Sequence, residues 1–322
     1  MAVFSKRESE RSIEKAILDL ALAELARRGE NVTVERHEEG YRLALCSGNT
    51  MLLANLTRIA EDVDSKDWPE LVAYQVNVQL DSERQTPPQK LTKKELSGRV
   101  LTRLVSDEKD EWSHYDYARK FAPGIVQVLC VDYPQTVQTL DDKCILGMAL
   151  SLDEMYQKGQ INTDAELIDE KFEIDKFVSG LSGASLFIAS KAGNFSALVP
   201  DVIGPAPLGV VFAIPNRSLL LYSVITQEDW LGQLTSLTQT IDTIGFDPDF
   251  NHPGGLISPY AYYWAPDGTV ERIGGRFFDV NGKTTISLTV TGKFSEYVKI
   301  GGSDDDENSG ENTTGAINEY WK

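Results

Sequence analysis

Apolar residues recur every three or four positions through Ile13, Ile17, Leu20, Ala21 and Leu25, the spacing that puts one stripe on one helix face. Ser5 and Glu8 stand ahead of it in a capping-box arrangement, and Gly29 follows it. A helix is therefore predicted from Ser5 to about Arg28. The pattern then changes to alternation. Val32 and Val34, then Leu43 and Leu45, alternate with polar neighbours around Glu39-Gly40, which predicts a hairpin. Asn49-Thr50 is placed to cap a helix carrying Met51, Leu52, Leu56 and Ile59. Trp68-Pro69-Glu70 opens another through Leu71, Val72, Val76 and Leu80, with Pro69 in its first turn.

Polar residues around Pro87-Pro88 then break the periodicity, so residues 83–94 read as a linker between an N-terminal region (1–82) and a larger region (95–300). Residues 99–108 alternate as a strand, and residues 124–132 form a short apolar, β-branched run that predicts another. Leu140, Cys144, Met148, Leu152 and Met155 would share one face of a helix over 139–156. Three apolar runs follow, Ala184–Ala189, Leu208–Ile214 and Leu219–Ile225, the last two separated by Pro215-Asn216-Arg217-Ser218. They predict buried strands joined by turns. Thr226 and Asp229 then frame the start of a helix carrying Trp230, Leu231, Leu234, Leu237 and Ile241. Residues 254–293 are rich in aromatics, β-branched residues and turn dipeptides, and read as a meander of three or four strands. Asn281-Gly282 between two such runs is a strong hairpin signal. Helical and strand patterns mix without regular alternation, so the expected fold class is α+β: N-terminal helices with a small hairpin, then a mixed or antiparallel sheet with packed helices.

Length and composition refine this picture. The chain has 322 residues, 41% of them hydrophobic, enough for a substantial core. No apolar run approaches the ~20 residues that cross a bilayer, and the N-terminus lacks the apolar stretch of a secretory signal. Cys46, Cys130 and Cys144 are few, scattered and flanked by apolar residues, which fits buried thiols in a reducing cytoplasm. The formal net charge is −18, which disfavours nucleic acid and anionic membrane as partners and favours a basic one. Six acids and one base fall in residues 303–322, where so little apolar content predicts a disordered tail over 301–322.

The segments GASLFIA (183–189), VVFAIPNRSLLLYS (210–223), QEDWLGQLTSLTQTI (227–241) and ISPYAYYWAPDGTVERI (257–273) together resemble the bacterial YtpQ-like family. The likeness covers the C-terminal half most clearly. It implies a fold relationship and brings no activity, cofactor or catalytic residue with it. Where the family pattern has an acid after the arginine, this chain has Ser218.

Candidate chemistry gathers at a few residues. Arg217, after Pro215-Asn216 at a strand end, can grip a carboxylate or phosphate through two donors. The turn also has a purely structural reading, with Asn216 and Arg217 fixing the loop by hydrogen bonds. His252 lies in a glycine-rich loop, where active-site residues often sit. Tyr260, Tyr262 and Trp264 would share one strand face, with Tyr263 opposite. They form either a binding surface or a core sheet face. Gly180-Leu-Ser182-Gly-Ala184 misses the nucleophile-elbow pattern at Ala184. The histidines at 37, 114 and 252 show no metal-ligand spacing, and no phosphate-cradling glycine motif occurs. Catalytic residues, metal and cofactor are accordingly expected to be none. The expectation is a non-enzymatic protein-binding module, chaperone-, adaptor- or immunity-like, whose partner is another protein. An enzyme of unrecognised type with a site near Arg217 and His252 is the alternative. Neither reading fixes the oligomeric state.

Overall fold

In the computed structural model the stripe of residues 13–25 forms one face of helix α1 (Ala2–Arg27). The structure describes residues 2–37, 40–45, 50–83, 85–107, 115–134, 136–246, 255–280, 283–289 and 292–299. The expected tail over 301–322 and the His252 loop lie outside them. Helix α1 starts ahead of Ser5, so that serine sits inside the helix and is not its cap. It stops where Gly29 takes a φ of 76° and Glu30 N donates back to Leu25 O at 3.0 Å, closing the last turn.

The chain divides into two compact units, residues 1–87 with 133–137, and residues 88–132 with 138–322. In the first, β1 (Val32–His37), β2 (Gly40–Leu45) and β3 (Thr50–Leu52) form an antiparallel sheet in that order. Helices α2 (Ala54–Glu61) and α3 (Trp68–Glu83) follow. The predicted helix from Asn49 is therefore corrected. Met51 pairs opposite Leu43 and is buried beside it, while Leu52 points outward. Three residues of alternation are too few to separate from a helical stripe. Leu43 and Met51 pack with Ile17, Ala21 and Leu25 of α1 and with Val72, Val76 and Leu80 of α3. Trp68 Nε1 donates to Ala60 O and Val63 O, tying the start of α3 to the end of α2.

The second unit begins inside the polar segment 83–94, with a 3-10 turn (Pro88–Lys90) and α4 (Lys93–Arg99). A small antiparallel sheet follows in the order β4 (Val100–Ser106), β6 (Ile125–Asp132), β5 (Arg119–Ala122), with β7 (Val137–Thr139) also on β6. The predicted helix over 139–156 is two separate pieces, α5 (Asp142–Ile145) and α6 (Leu152–Ala165). Ser151 and Glu154 make a full capping box and start the helix afresh. Gly159 lets α6 lie directly on β4, since a Cβ there would meet the Leu101 and Thr102 backbone at 3.1 and 3.2 Å. Thr102 Oγ1 donates to Gln160 Oε1 at 2.9 Å, and its backbone N donates to Thr163 Oγ1 at 3.0 Å across the same contact.

The larger sheet has the order β14 (Lys283–Thr289), β13 (Val270–Val280), β12 (Ala261–Trp264), β10 (Val210–Asn216), β11 (Leu219–Val224), β9 (Ser179–Ser182), β8 (Glu170–Glu173). Its central strands are covered on both sides, which is why they read as unbroken apolar runs. Val210, Phe212, Leu220, Tyr222 and Tyr262 face α7 (Phe195–Leu198) and the turns around it. Val211, Ala213, Leu221 and Tyr263 face Leu234, Leu237 and Ile241 of α8 (Trp230–Phe246) and Phe294 of α9 (Lys293–Tyr297). The run at 184–189 is not the strand it was expected to be. Asp169 Oδ2 accepts from Ala184 N, and Ser185 Oγ accepts from Phe187 N, so the chain turns and enters a 3-10 helix (Ala189–Asn194). Phe187, Ile188 and Ala189 are all buried there, which produces an apolar run without a strand. Val280 pairs opposite Lys283, on either side of Asn281-Gly282. The described residues form three antiparallel sheets with helices packed on them, an α+β fold.

Candidate functional site

Strand β10 runs through Pro215 to Asn216, β11 begins at Leu219, and Arg217-Ser218 is the turn between them. The register shifts between Ala213 and Asn216, around the proline that has no N–H to give. Three backbone groups fix the turn. The buried Asn216 Oδ1 accepts from Ser218 N at 2.9 Å, Pro215 O accepts from Ile257 N at 2.9 Å, and Arg217 O accepts from Ala189 N at 3.1 Å. The Arg217 side chain takes no part in holding the turn.

A second arginine acts on it through its charge. Arg103 occupies the middle of β4, opposite Val128, with Leu101 opposite Cys130 two pairs away. Residues two apart on a strand share a face, so Arg103 and Cys130 project from the same side of the small sheet. Arg103 is 3% exposed. Its guanidinium carbon stands 4.9 Å from the centre of the Phe187 ring, a cation–π contact that sets the plane of the group. Its Nε and Nη2 are buried and have no hydrogen-bond partner. These two nitrogens form one edge of the guanidinium, with parallel N–H bonds at the spacing of two oxygens on one acidic group.

The two arginines act on one another electrostatically. Burial pushes the Arg217 guanidinium below its ordinary value, the Arg103 charge pushes it further, and Cys130 opposes weakly. Burial raises the Cys130 thiol, against the two arginines and a 3.7 Å contact with Thr139 Oγ1. The Asp132 carboxyl is raised by burial and by Glu166, with Arg103 and Arg99 pulling it back. Among the described residues neither Arg103 nor Arg217 is ion-paired to a carboxylate. Arg103 is thus enclosed with its Nε and Nη2 unpartnered and Asp132 the carboxyl that acts on it, while Arg217 is half-buried.

Lys191 shows what a buried cation looks like when the fold uses it. It is as enclosed as Arg103, but its Nζ donates to Thr163 O at 3.2 Å and Asp164 O at 2.7 Å, at the C-terminus of α6. There it answers the free carbonyls and the negative end of the helix dipole. Asp164 is held in turn by Gln160 Nε2 and Asn194 Nδ2.

The structure brings Asn216 and Arg217 together in one turn. Tyr262 and Trp264 are core residues of the large sheet and Tyr260 packs at their edge, with Arg272 over its ring at 4.6 Å. Tyr263 is on the opposite face, as the alternation predicts. The Tyr262 hydroxyl is satisfied internally, at 2.8 Å from Ser258 Oγ and 3.3 Å from Pro123 O. The arrangement of Tyr262 and Trp264 is that of a sheet core and not of an exposed binding surface. His252 and His114 fall outside the described residues. Arg103 is the residue that sequence reading missed. Its signal was a charged residue in the middle of the apolar strand VLTRLV, which the strand pattern alone did not single out.

Among the described residues no three His, Cys, Asp or Glu side chains converge as metal ligands, and Cys130 and Cys144 are free thiols. No helix among them is long and apolar enough to cross a membrane. Comparison with protein-family models, with curated proteins and with solved structures finds no match to this chain.

Proposed function

We propose that this chain is a binding protein that holds an oxyanion-bearing molecule at Arg103 and Arg217. The unpartnered Nε/Nη2 edge of Arg103 carries the reading. A buried charge without partners costs several kcal/mol, and its donors are expensive to leave unmade. An acidic group between the two arginines removes both penalties. Arg217, half-buried at the hairpin turn, is the more accessible of the two. The reading keeps the expectation of a non-enzymatic, cytoplasmic binder and changes the chemistry of its partner. The acidic chain as a whole attracts basic molecules, whereas this site selects one acidic group. The enzyme alternative at Arg217 and His252 is not favoured by any geometry on the Arg217 side, where the groups near the guanidinium are another cation and a thiol held protonated.

The test is thermal unfolding in chloride, acetate and sulfate at one ionic strength. Sulfate or acetate should raise the melting temperature of the wild type, because a ligand that binds only the folded state stabilises it. The rise should vanish in Arg103→Met. Equal melting temperatures in all three salts would remove the proposal.

A further inference from the structure

Apart from the two arginines, the large sheet ends on an open edge, and we propose that this edge pairs with a second copy of the chain. Strand β8 (Glu170–Glu173) is last in the strand order and, among the described residues, is paired only to β9. Ile174 N donates to Val178 O at 2.8 Å, which fixes the alternation along β8. Glu170, Phe172 and Ile174 turn their backbone groups towards β9, whereas Lys171 and Glu173 turn theirs away from it. Both of these residues are exposed. An edge of this kind is a template for another strand.

The charges along the edge select the strand that fits it. A lysine on an edge strand ordinarily deters pairing, yet here an acid follows two residues on, so Lys171-Phe172-Glu173 is its own complement when reversed. Two antiparallel copies related by a twofold axis at Phe172 place Lys171 opposite Glu173 of the second copy, and Glu173 opposite Lys171 of the second copy. These are the residues whose backbone groups point outward. Each such pair therefore exchanges both N–H···O bonds while its side chains carry opposite charge. Moving the axis to Lys171 sets lysine against lysine, and moving it to Glu173 sets acid against acid. An axis between two residues pairs outward-facing backbone groups with inward-facing ones. Within β8 a single register satisfies both backbone and charge.

The same axis brings apolar surface together. Phe172 is half-buried against Gly180, where a Cβ would collide with its ring. Across the axis it meets its own copy as a non-hydrogen-bonded pair, the kind whose side chains come closest. Ile174, 42% exposed, lies beside it on that face. On the other face Lys171 Nζ donates to Val202 O at 2.8 Å, and an ammonium keeps two more N–H bonds for the carboxylate opposite. Pairing stops at the ends of β8, where Asp169 N already donates to Ser182 O and Asp175 Oδ1 accepts from Phe177 N and Val178 N. Strands of 4 residues bury less than the roughly 1,200 Å² of stable complexes. A charge of −18 on each copy opposes association further. The dimer is accordingly a weak one.

Sedimentation equilibrium of the full-length protein tests this, at pH 7.5 and about 0.15 M salt over roughly 10 μM to 1 mM chain. The wild type should pass from monomer towards dimer across that range. Lys171→Glu sets acid against acid and Glu173→Lys sets lysine against lysine, so each variant alone should associate about tenfold or more weakly. Mixed in equal amounts, the two variants restore opposite charge at both pairs, and the mixture should dimerise about as strongly as the wild type. The double variant Lys171→Glu with Glu173→Lys exchanges the charges within one chain and should dimerise by itself, which keeps the test decisive where a single variant folds poorly. A wild type that stays monomeric throughout the range would overturn the proposal. Folded single variants that associate like the wild type would overturn it as well, and so would a mixture and a double variant that both remain monomeric.

Discussion

At the scale of single residues, Lys191 is a buried cation that the fold uses, whereas Arg103 is one whose Nε and Nη2 have no hydrogen-bond partner. Both are 3% exposed. Lys191 closes the end of α6 through two carbonyls; Thr163 O also accepts from Glu166 N, so removing the ammonium costs chiefly the bond to Asp164 O. Lys191→Met should lower stability by about 1–3 kcal/mol, seen as a lower urea midpoint at unchanged slope. A midpoint equal to wild type would mean that water replaces the ammonium at those carbonyls. Arg217 illustrates a second point. The turn it occupies is held by the Asn216 side chain and by backbone groups.

Among the elements, α6 shows how local chemistry overrides a longer pattern. Apolar spacing from Leu140 to Met155 suggests one helix, yet Asp141 caps a short turn and Ser151 with Glu154 caps a new helix. The Glu154 carboxyl is held down at about 2, first by the Lys93 ammonium at 2.8 Å and then by the Ser151 N–H and O–H. Its folded value lies below its ordinary 4.5, so the stabilisation is complete above that pH and is lost as the pH falls towards 2. The urea midpoint of the wild type should therefore drop more steeply between pH 5 and 3 than that of Glu154→Gln. Parallel curves would show that the cap contributes nothing to folding. Legibility followed the same division. Long periodic elements such as α1, α3 and α8, and strands buried on both faces such as β10 and β11, were readable because burial imposes a period or a run. Thr50–Leu52 was not, since three residues define no period. The run at 184–189 was not, since burial from every side looks the same in a strand and in a 3-10 turn. The site was half legible: Arg217 stands out beside Pro215-Asn216, whereas Arg103 needs the β4–β6 pairing to show that its strand has no solvent face.

For the whole molecule, the two compact units each have a core built from their own residues. Leu43 and Met51 pack with α1 and α3 in the first. Phe212, Tyr262 and Tyr263 lie in the two cores on either side of the large sheet in the second. Cooperative unfolding follows shared burial, so a defect in one core should stay in that core. Leu43→Ala removes a fully buried side chain and should cost its unit about 2–5 kcal/mol. Hydrogen exchange read by mass spectrometry reports each core separately. Amides of α1, β2 and α3 should exchange faster in Leu43→Ala, while those of β10, β11 and β12 should keep their wild-type rates. Faster exchange throughout β10–β12 would show that the molecule unfolds as one body, and the anion site would then depend on the integrity of the N-terminal helices.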